Sequence, residues 1–142
     1  HMTAPHPEGR GLRKAIADAL EIAGVAPDEV GFVNAHGTGT LENDRIEGKV
    51  LTEMLGPEVP VFSTKGCTGH TLGAAGAVEA VLSIGCLLAA RVPASAGFVT
   101  PDPSCQLTPT KAVLPLERAT ALSTSLAFGG TNSALVLVGI EP

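Results

Sequence analysis

Tryptophan and tyrosine are missing from this 142-residue sequence, and Phe32, Phe62, Phe98 and Phe128 make up its whole 3% of aromatic residues. Basic residues are scarce too: nine Lys and Arg against fourteen Asp and Glu leave a net charge of −5, with no Lys/Arg run. A chain with neither a basic footprint nor stacking platforms is not built to bind nucleic acid. The three cysteines, Cys67, Cys86 and Cys105, fit no paired framework and no C-x-x-C unit, which points to a reducing, cytoplasmic setting. Residues 1–13 carry prolines and charges where a signal peptide has its apolar segment, so no secretory leader is expected. The longest apolar stretch, Thr71 to Ala90, has the length to span a bilayer, but it contains Glu79 and many small residues and lacks aromatic flanks. A buried core helix is the expectation, and no membrane partner. With 44% apolar and 16% charged residues, the composition excludes collagen-like, coiled-coil and disordered chains and suits one acidic globular domain.

Leu12, Ile16, Leu20 and Ala23 recur at helical spacing and predict an amphipathic helix from Gly11 to Gly24. A short apolar strand follows at Val30 to Asn34, then a helix over Glu42 to Leu55 carrying Ile46, Val50, Leu51 and Met54, closed by Gly56-Pro57. Val59 to Ser63 reads as a second strand and Thr71 to Ala90 as the third helix. The connection from Pro93 to Pro115 is too broken by proline for continuous regular structure. Ala121 to Leu126 and Ser133 to Val138 close the chain as two strands joined by Phe128-Gly129-Gly130. This order predicts an α/β fold with a mostly parallel, five-stranded-type mixed sheet, helical crossovers and an antiparallel last strand.

The third helix has no polar face, since Ala74, Ala75, Val78, Val81, Leu82, Ile84, Leu87 and Leu88 point all round it. Gly69, Gly73 and Gly76 suggest close approach of another backbone. Such a helix wants cover on both sides, which one small sheet cannot supply.

Two histidines stand in parallel contexts. His36 follows the first strand on a turn, Asn34-Ala35-His36-Gly37-Thr38-Gly39-Thr40, and His70 follows the second in Ser63-Thr64-Lys65-Gly66-Cys67-Thr68-Gly69-His70. Strand ends in parallel sheets are where ligands bind. A histidine at the mouth of a helix faces its positive end, which favours the neutral ring and an N–H donor, so the pair could cradle one carbonyl oxygen. Gly129 and Gly130 offer backbone N–H groups of the kind that line an oxyanion hole. Lys65 and Glu79 each sit where an unpaired charge is costly and so have reason to meet, while Asp44 and Glu47 share a helical face near the first histidine turn. A zinc half-site at Cys67-x-x-His70 lacks a second pair of ligands, and no phosphate-binding glycine pattern is present. No metal and no cofactor are expected.

His36-Gly37-Thr38-Gly39-Thr40, Lys65-x-x-Thr68-Gly69-His70 and Phe128-Gly129-Gly130-Thr131-Asn132, in this order, resemble the C-terminal part of a beta-ketoacyl-[acyl-carrier-protein] synthase of the elongating, two-histidine type, with a thiolase-like fold. The opening His1-Met2-Thr3-Ala4-Pro5 also resembles the family sequence ahead of this region, although His1-Met2 is equally compatible with a cloning scar. The resemblance implies that residues 1–142 form one thiolase-like half-domain, with the nucleophilic cysteine in the other, N-terminal half. It implies decarboxylative condensation of an acyl-enzyme with a malonyl thioester on an acyl carrier protein, in fatty acid or polyketide synthesis. His36 and His70 become the decarboxylating pair, Thr38 and Thr40 hold the phosphopantetheine arm, and Phe128 gates the acyl pocket and contributes to the oxyanion hole. Lys65, Asp44, Glu47 and Glu79 form the supporting network. Leu126-Ala127 departs from the aromatic and glycine usual there. The partners implied are the carrier protein, the N-terminal half and a second copy in a homodimer. Two rivals stand beside this reading: a non-catalytic ketosynthase-like subunit that sets chain length, which would not need both imidazoles, and a degradative thiolase, whose motifs differ from the second segment.

Overall fold

Leu12, Ile16 and Leu20 line up every fourth residue and are buried along one face of α1 (Arg10–Ala23). In the computed structural model, which describes residues 4–139, this helix ends at Gly24, whose φ of 65° only glycine adopts freely. The remaining elements are β1 (Phe32–Asn34), α2 (Leu41–Leu55), β2 (Val61–Phe62), the one-turn α3 (Lys65–Thr68), α4 (Ala75–Ala89), β3 (Arg91–Val92), β4 (Leu114–Pro115), β5 (Thr120–Leu126) and β6 (Asn132–Val138). The predicted helix–strand order therefore holds. Among the described residues the main sheet has four strands rather than five, in the order β2-β1-β5-β6. β1 runs parallel to both neighbours and β6 is antiparallel to β5. The proline-rich connection contributes β4, which pairs with β3 in a separate antiparallel ribbon.

Alternation along β1 sorts the core into two layers. Val33 faces Leu12, Ile16, Val50, Leu51 and Leu122, beneath α1 and α2. Phe32 turns to the other side, with Phe62, Val92, Ala121 and the half-buried Cys86 and Leu87 of α4. Asn34 shares that side and meets α4 through its amide, donating to Glu79 O and Ser83 Oγ, both at 3.2 Å.

The long apolar stretch is shorter than expected as an α-helix: a 3-10 turn at Leu72–Ala74 precedes α4. Its sheet-facing side buries Ala75, Glu79 and Ser83, while Val81 and Leu88 are 67% and 84% exposed. By length and hydropathy residues 72–89 could cross a bilayer, yet α4 packs on β5 and its Glu79 is paired. An added Cβ at Gly69 or Gly73 would meet nothing within 4 Å, and at Gly76 only Ser125 Oγ at 3.4 Å. The close backbone approach expected there does not occur among the described residues.

Burying a Val or Leu side chain stabilises by about 1.5–3 kcal/mol, so this outer face favours association. The chain on its own is expected to self-associate, and Val81→Lys with Leu88→Lys to shift it to monomer in sedimentation equilibrium. A wild-type chain that stays monomeric at high concentration contradicts this.

Candidate functional site

β1, β2 and β5 run the same way, so the His36 turn, the segment leading to His70 and the Phe128 turn all leave the same edge of the sheet. The His36 turn is anchored by a carboxylate. Glu47 of α2 accepts the His36 N–H at 2.8 Å on Oε1 and the Gly37 N–H at 2.9 Å on Oε2. Thr124 Oγ1 of β5 donates to Glu47 at 2.7 Å and also accepts the His36 N–H at 3.1 Å; Asn43 Nδ2 adds a bond at 3.1 Å. Burial pushes the Glu47 carboxyl above its ordinary pKa, and these four donors pull it back. Glu47 thus holds the backbone of the turn rather than the ring.

The ring of His36 lies 5.4 Å from that of His70, centre to centre, edge to face at 85°. His36 is 6% exposed. Burial, then the nearby charge of Lys65 and then His70, lower its pKa to about 4, so the ring is neutral at physiological pH. Its Nδ1 is buried with no hydrogen-bond partner among the described residues. Orphaned buried N–H groups are rarer than under-satisfied acceptors, which favours the tautomer with the proton on Nε2.

His70 is placed differently from its sequence expectation. It follows α3 and precedes the 3-10 turn, five residues ahead of α4, so it does not cap that helix. Its Nδ1 accepts the Leu72 N–H at 3.2 Å. That bond, rather than the helix dipole, leaves Nε2 as the proton-bearing atom.

Lys65 and Glu79 form an ion pair, as their contexts required, with side chains 6% and 2% exposed. Ser83 Oγ donates to Glu79 O at 2.7 Å, and Glu79 Oε2 and Asn34 Oδ1 lie buried beside them without partners among the described residues. Asp44 does not join this pair, and it meets the Glu47 anchor only through a shared donor, Asn43 Nδ2. Half-buried, it accepts from Asn43 Nδ2 at 3.2 Å and lines a cleft of about 320 Å³ with Gly37, Thr38, Lys65 and Phe98. The expected four-residue network is therefore two separate units, the Lys65–Glu79 pair and the Glu47 anchor, with Asp44 linked to the latter through Asn43 at the edge of the cleft.

The Thr38 and Thr40 hydroxyls bond one another at 3.1 Å. Phe128, 77% exposed, opens a turn in which Gly129 and Gly130 both have φ near 79° and Asn132 Nδ2 donates to Gly130 O at 2.9 Å. Cys86 and Cys105 have thiols pushed up by burial, that of Cys105 also by Asp102 and Asp44. Cys67 is exposed on α3. No group of three or more His, Cys, Asp or Glu among the described residues is placed to hold a metal ion. Sequence reasoning passed over Asn43, Ser63, Ser83 and Thr124. The polar run Ser123-Thr124-Ser125 within a buried strand was the available signal, since buried hydroxyls need partners.

Residues 1–99 match the family described as beta-ketoacyl synthase, C-terminal domain. The sequence is 42% identical, over 95% of this chain, to the 3-oxoacyl-[acyl-carrier-protein] synthase 2 of Synechocystis, and covers 33% of that protein. Among solved structures, the ketosynthase ApeO in complex with its chain length factor ApeC from Xenorhabdus doucetiae is matched at 46% identity and a TM-score of 0.88, over 99% of this chain and 36% of that one. A beta-ketoacyl synthase from Burkholderia phymatum is matched at 31% identity and 0.93, over 99% and 35%. The architecture is that of these thiolase-like ketosynthases. The chain spans about a third of the length of the curated relatives it matches.

Proposed function

This chain belongs to the beta-ketoacyl synthase family, as its C-terminal domain, and on that premise we propose that it supplies the decarboxylation machinery of a ketosynthase acting on malonyl-[acyl carrier protein]. The observation that carries the reading is the pair of imidazoles, His36 and His70, meeting at one sheet edge with their ring centres 5.4 Å apart.

In the proposed reaction an acyl group is first carried as a thioester on a cysteine in the remainder of the ketosynthase fold. The malonyl thioester then loses its carboxylate as CO₂, and the bonding pair moves into the thioester to give an enolate. Nε2–H donors of His36 and His70 stabilise the developing oxyanion, an interaction stronger in the transition state than in the ground state. The enolate carbon attacks the acyl carbonyl and the cysteine thiolate leaves. Backbone N–H groups around Phe128, Gly129 and Gly130 serve the second oxyanion, and the Thr38 and Thr40 hydroxyls hold the pantetheine arm. Burial keeps His36 from protonating, and Lys65, paired with Glu79, adds a nearby positive charge that acts in the same direction.

The raised thiols of Cys86 and Cys105 disfavour either as the nucleophile, because the thiolate is the reactive form. The complete ketosynthase, incubated with an acyl thioester and digested, is expected to carry its acyl adduct on a cysteine other than Cys67, Cys86 and Cys105. An adduct on one of these three overturns the assignment. No adduct on any cysteine favours the chain-length subunit, as in the pairing of ketosynthase and chain length factor in the Xenorhabdus complex.

A further inference from the structure

Beyond the last ladder bond between β1 and β2, the Ala35 N–H to Phe62 O at 2.8 Å, the two strands have no further backbone pairing and run into the separate segments that carry His36 and His70. One hydroxyl bridges them there. Ser63 Oγ donates to Gly37 O at 3.2 Å, in the turn that carries His36, and accepts the Lys65 N–H at 3.3 Å, at the start of the segment that carries His70. The Ser63 N–H in turn donates to Ser95 Oγ at 3.3 Å, which ties the bridge to the connection after α4. Gly37 is shaped to this contact: at φ 44°, an added Cβ would lie 2.5 Å from Ser63 Cβ and 2.7 Å from its Oγ.

The other anchors act within one segment at a time. Glu47 and Thr124 hold the His36 turn from α2 and β5, and the Lys65–Glu79 pair holds the α3 segment on α4. Asn34, two residues before His36, adds an indirect tie through α4 by donating to Glu79 O, and Ser63 is the one side chain among these that joins the two histidine-bearing segments directly. We propose that Ser63 is a positioning residue, whose hydroxyl clasps the two histidine-bearing segments and fixes the spacing of the His36 and His70 rings. The proposal rests on the decarboxylating role assigned to the pair. A donor displaced by about 1 Å from a developing oxyanion loses much of its effect, on the order of 10- to 100-fold in rate. Binding of the pantetheine arm and loading of the cysteine need no such spacing.

The test compares Ser63→Ala and Ser63→Thr in the complete ketosynthase, with His70→Ala as control. Three quantities are read: CO₂ release from malonyl-carrier protein, acyl loading of the cysteine, and the His36 titration midpoint by NMR. Ser63→Ala is expected to lower kcat for CO₂ release about tenfold or more, with KM and acyl loading little changed. Loss of the clasp admits water, so the His36 midpoint should move up from about 4 toward the ordinary 6.5. Ser63→Thr, which keeps the hydroxyl, should restore both. Unchanged CO₂ release and an unchanged midpoint in Ser63→Ala overturn the proposal, as does acyl loading that falls in step with CO₂ release, or a threonine variant no better than alanine. If His70→Ala releases CO₂ at the wild-type rate, the functional reading fails instead, and the His36 midpoint alone decides whether the clasp exists.

Discussion

Replacing His70 with alanine in the complete ketosynthase is expected to cut malonyl decarboxylation by about 10²- to 10³-fold, the usual cost of removing one donor to a developing oxyanion. Transfer of the acyl group to the cysteine should survive. The asymmetry follows from where charge develops. His70 presents its Nε2 proton because Leu72 occupies Nδ1, and its ring faces that of His36 across 5.4 Å. In the proposed reaction its ring acts when the enolate forms and takes no part in the earlier thioester exchange. Stopped-flow or radiolabel measurement of acyl loading, set beside CO₂ release from the same preparation, separates the two steps. Loss of loading in His70→Ala, with decarboxylation spared, inverts the assigned roles.

Lys65→Ala is expected to be the most destabilising single change at this site, by about 3–5 kcal/mol, because it leaves Glu79 as an uncompensated charge in a buried position. The pair sits with both side chains nearly inaccessible, and Glu79 Oε2 already lacks a partner among the described residues, so no neighbour stands ready to replace the ammonium. The same change also removes a positive charge that helps keep His36 neutral. Chemical denaturation of the complete protein checks the first effect. The double variant Lys65→Met with Glu79→Gln should recover a large part of the loss, since removing both charges relieves the cost that removing one creates. A Lys65→Ala protein of wild-type stability and full activity contradicts the pairing argument.

Much of this arrangement was legible in the sequence because its signals are local. The spacing of Leu12, Ile16 and Leu20 placed α1, and the glycine-flanked turn after the first apolar segment placed His36 just past the end of β1. The meeting of Lys65 and Glu79 followed from the cost of burying either alone. What was not legible depends on tertiary geometry. β1 and β2 are only three and two residues long, so helix packing and the ladder rather than strand propensity define them. The first turn after His70 folds as a 3-10 segment, with Leu72 at positive φ, and this detaches His70 from the α4 dipole. Asp44 and Glu47 share one helical face, yet only Glu47 hydrogen-bonds the backbone of the His36 turn, where Thr124, 77 residues away in the chain, completes its hydrogen bonds. Ser63 carries no sequence signal of its role, because a serine at a strand end is ordinary until the neighbouring strand's turn is known to lie within reach.

The most direct measurement is single-turnover CO₂ release from malonyl-carrier protein by the complete ketosynthase bearing His36→Ala, His70→Ala, and both together. Two donors that act on one oxyanion are not independent, so each single variant should lose about 10²-fold or more and the double variant little beyond the worse single one. Wild-type release by either single variant, or losses that multiply in the double variant, would contradict a shared role for the two imidazoles.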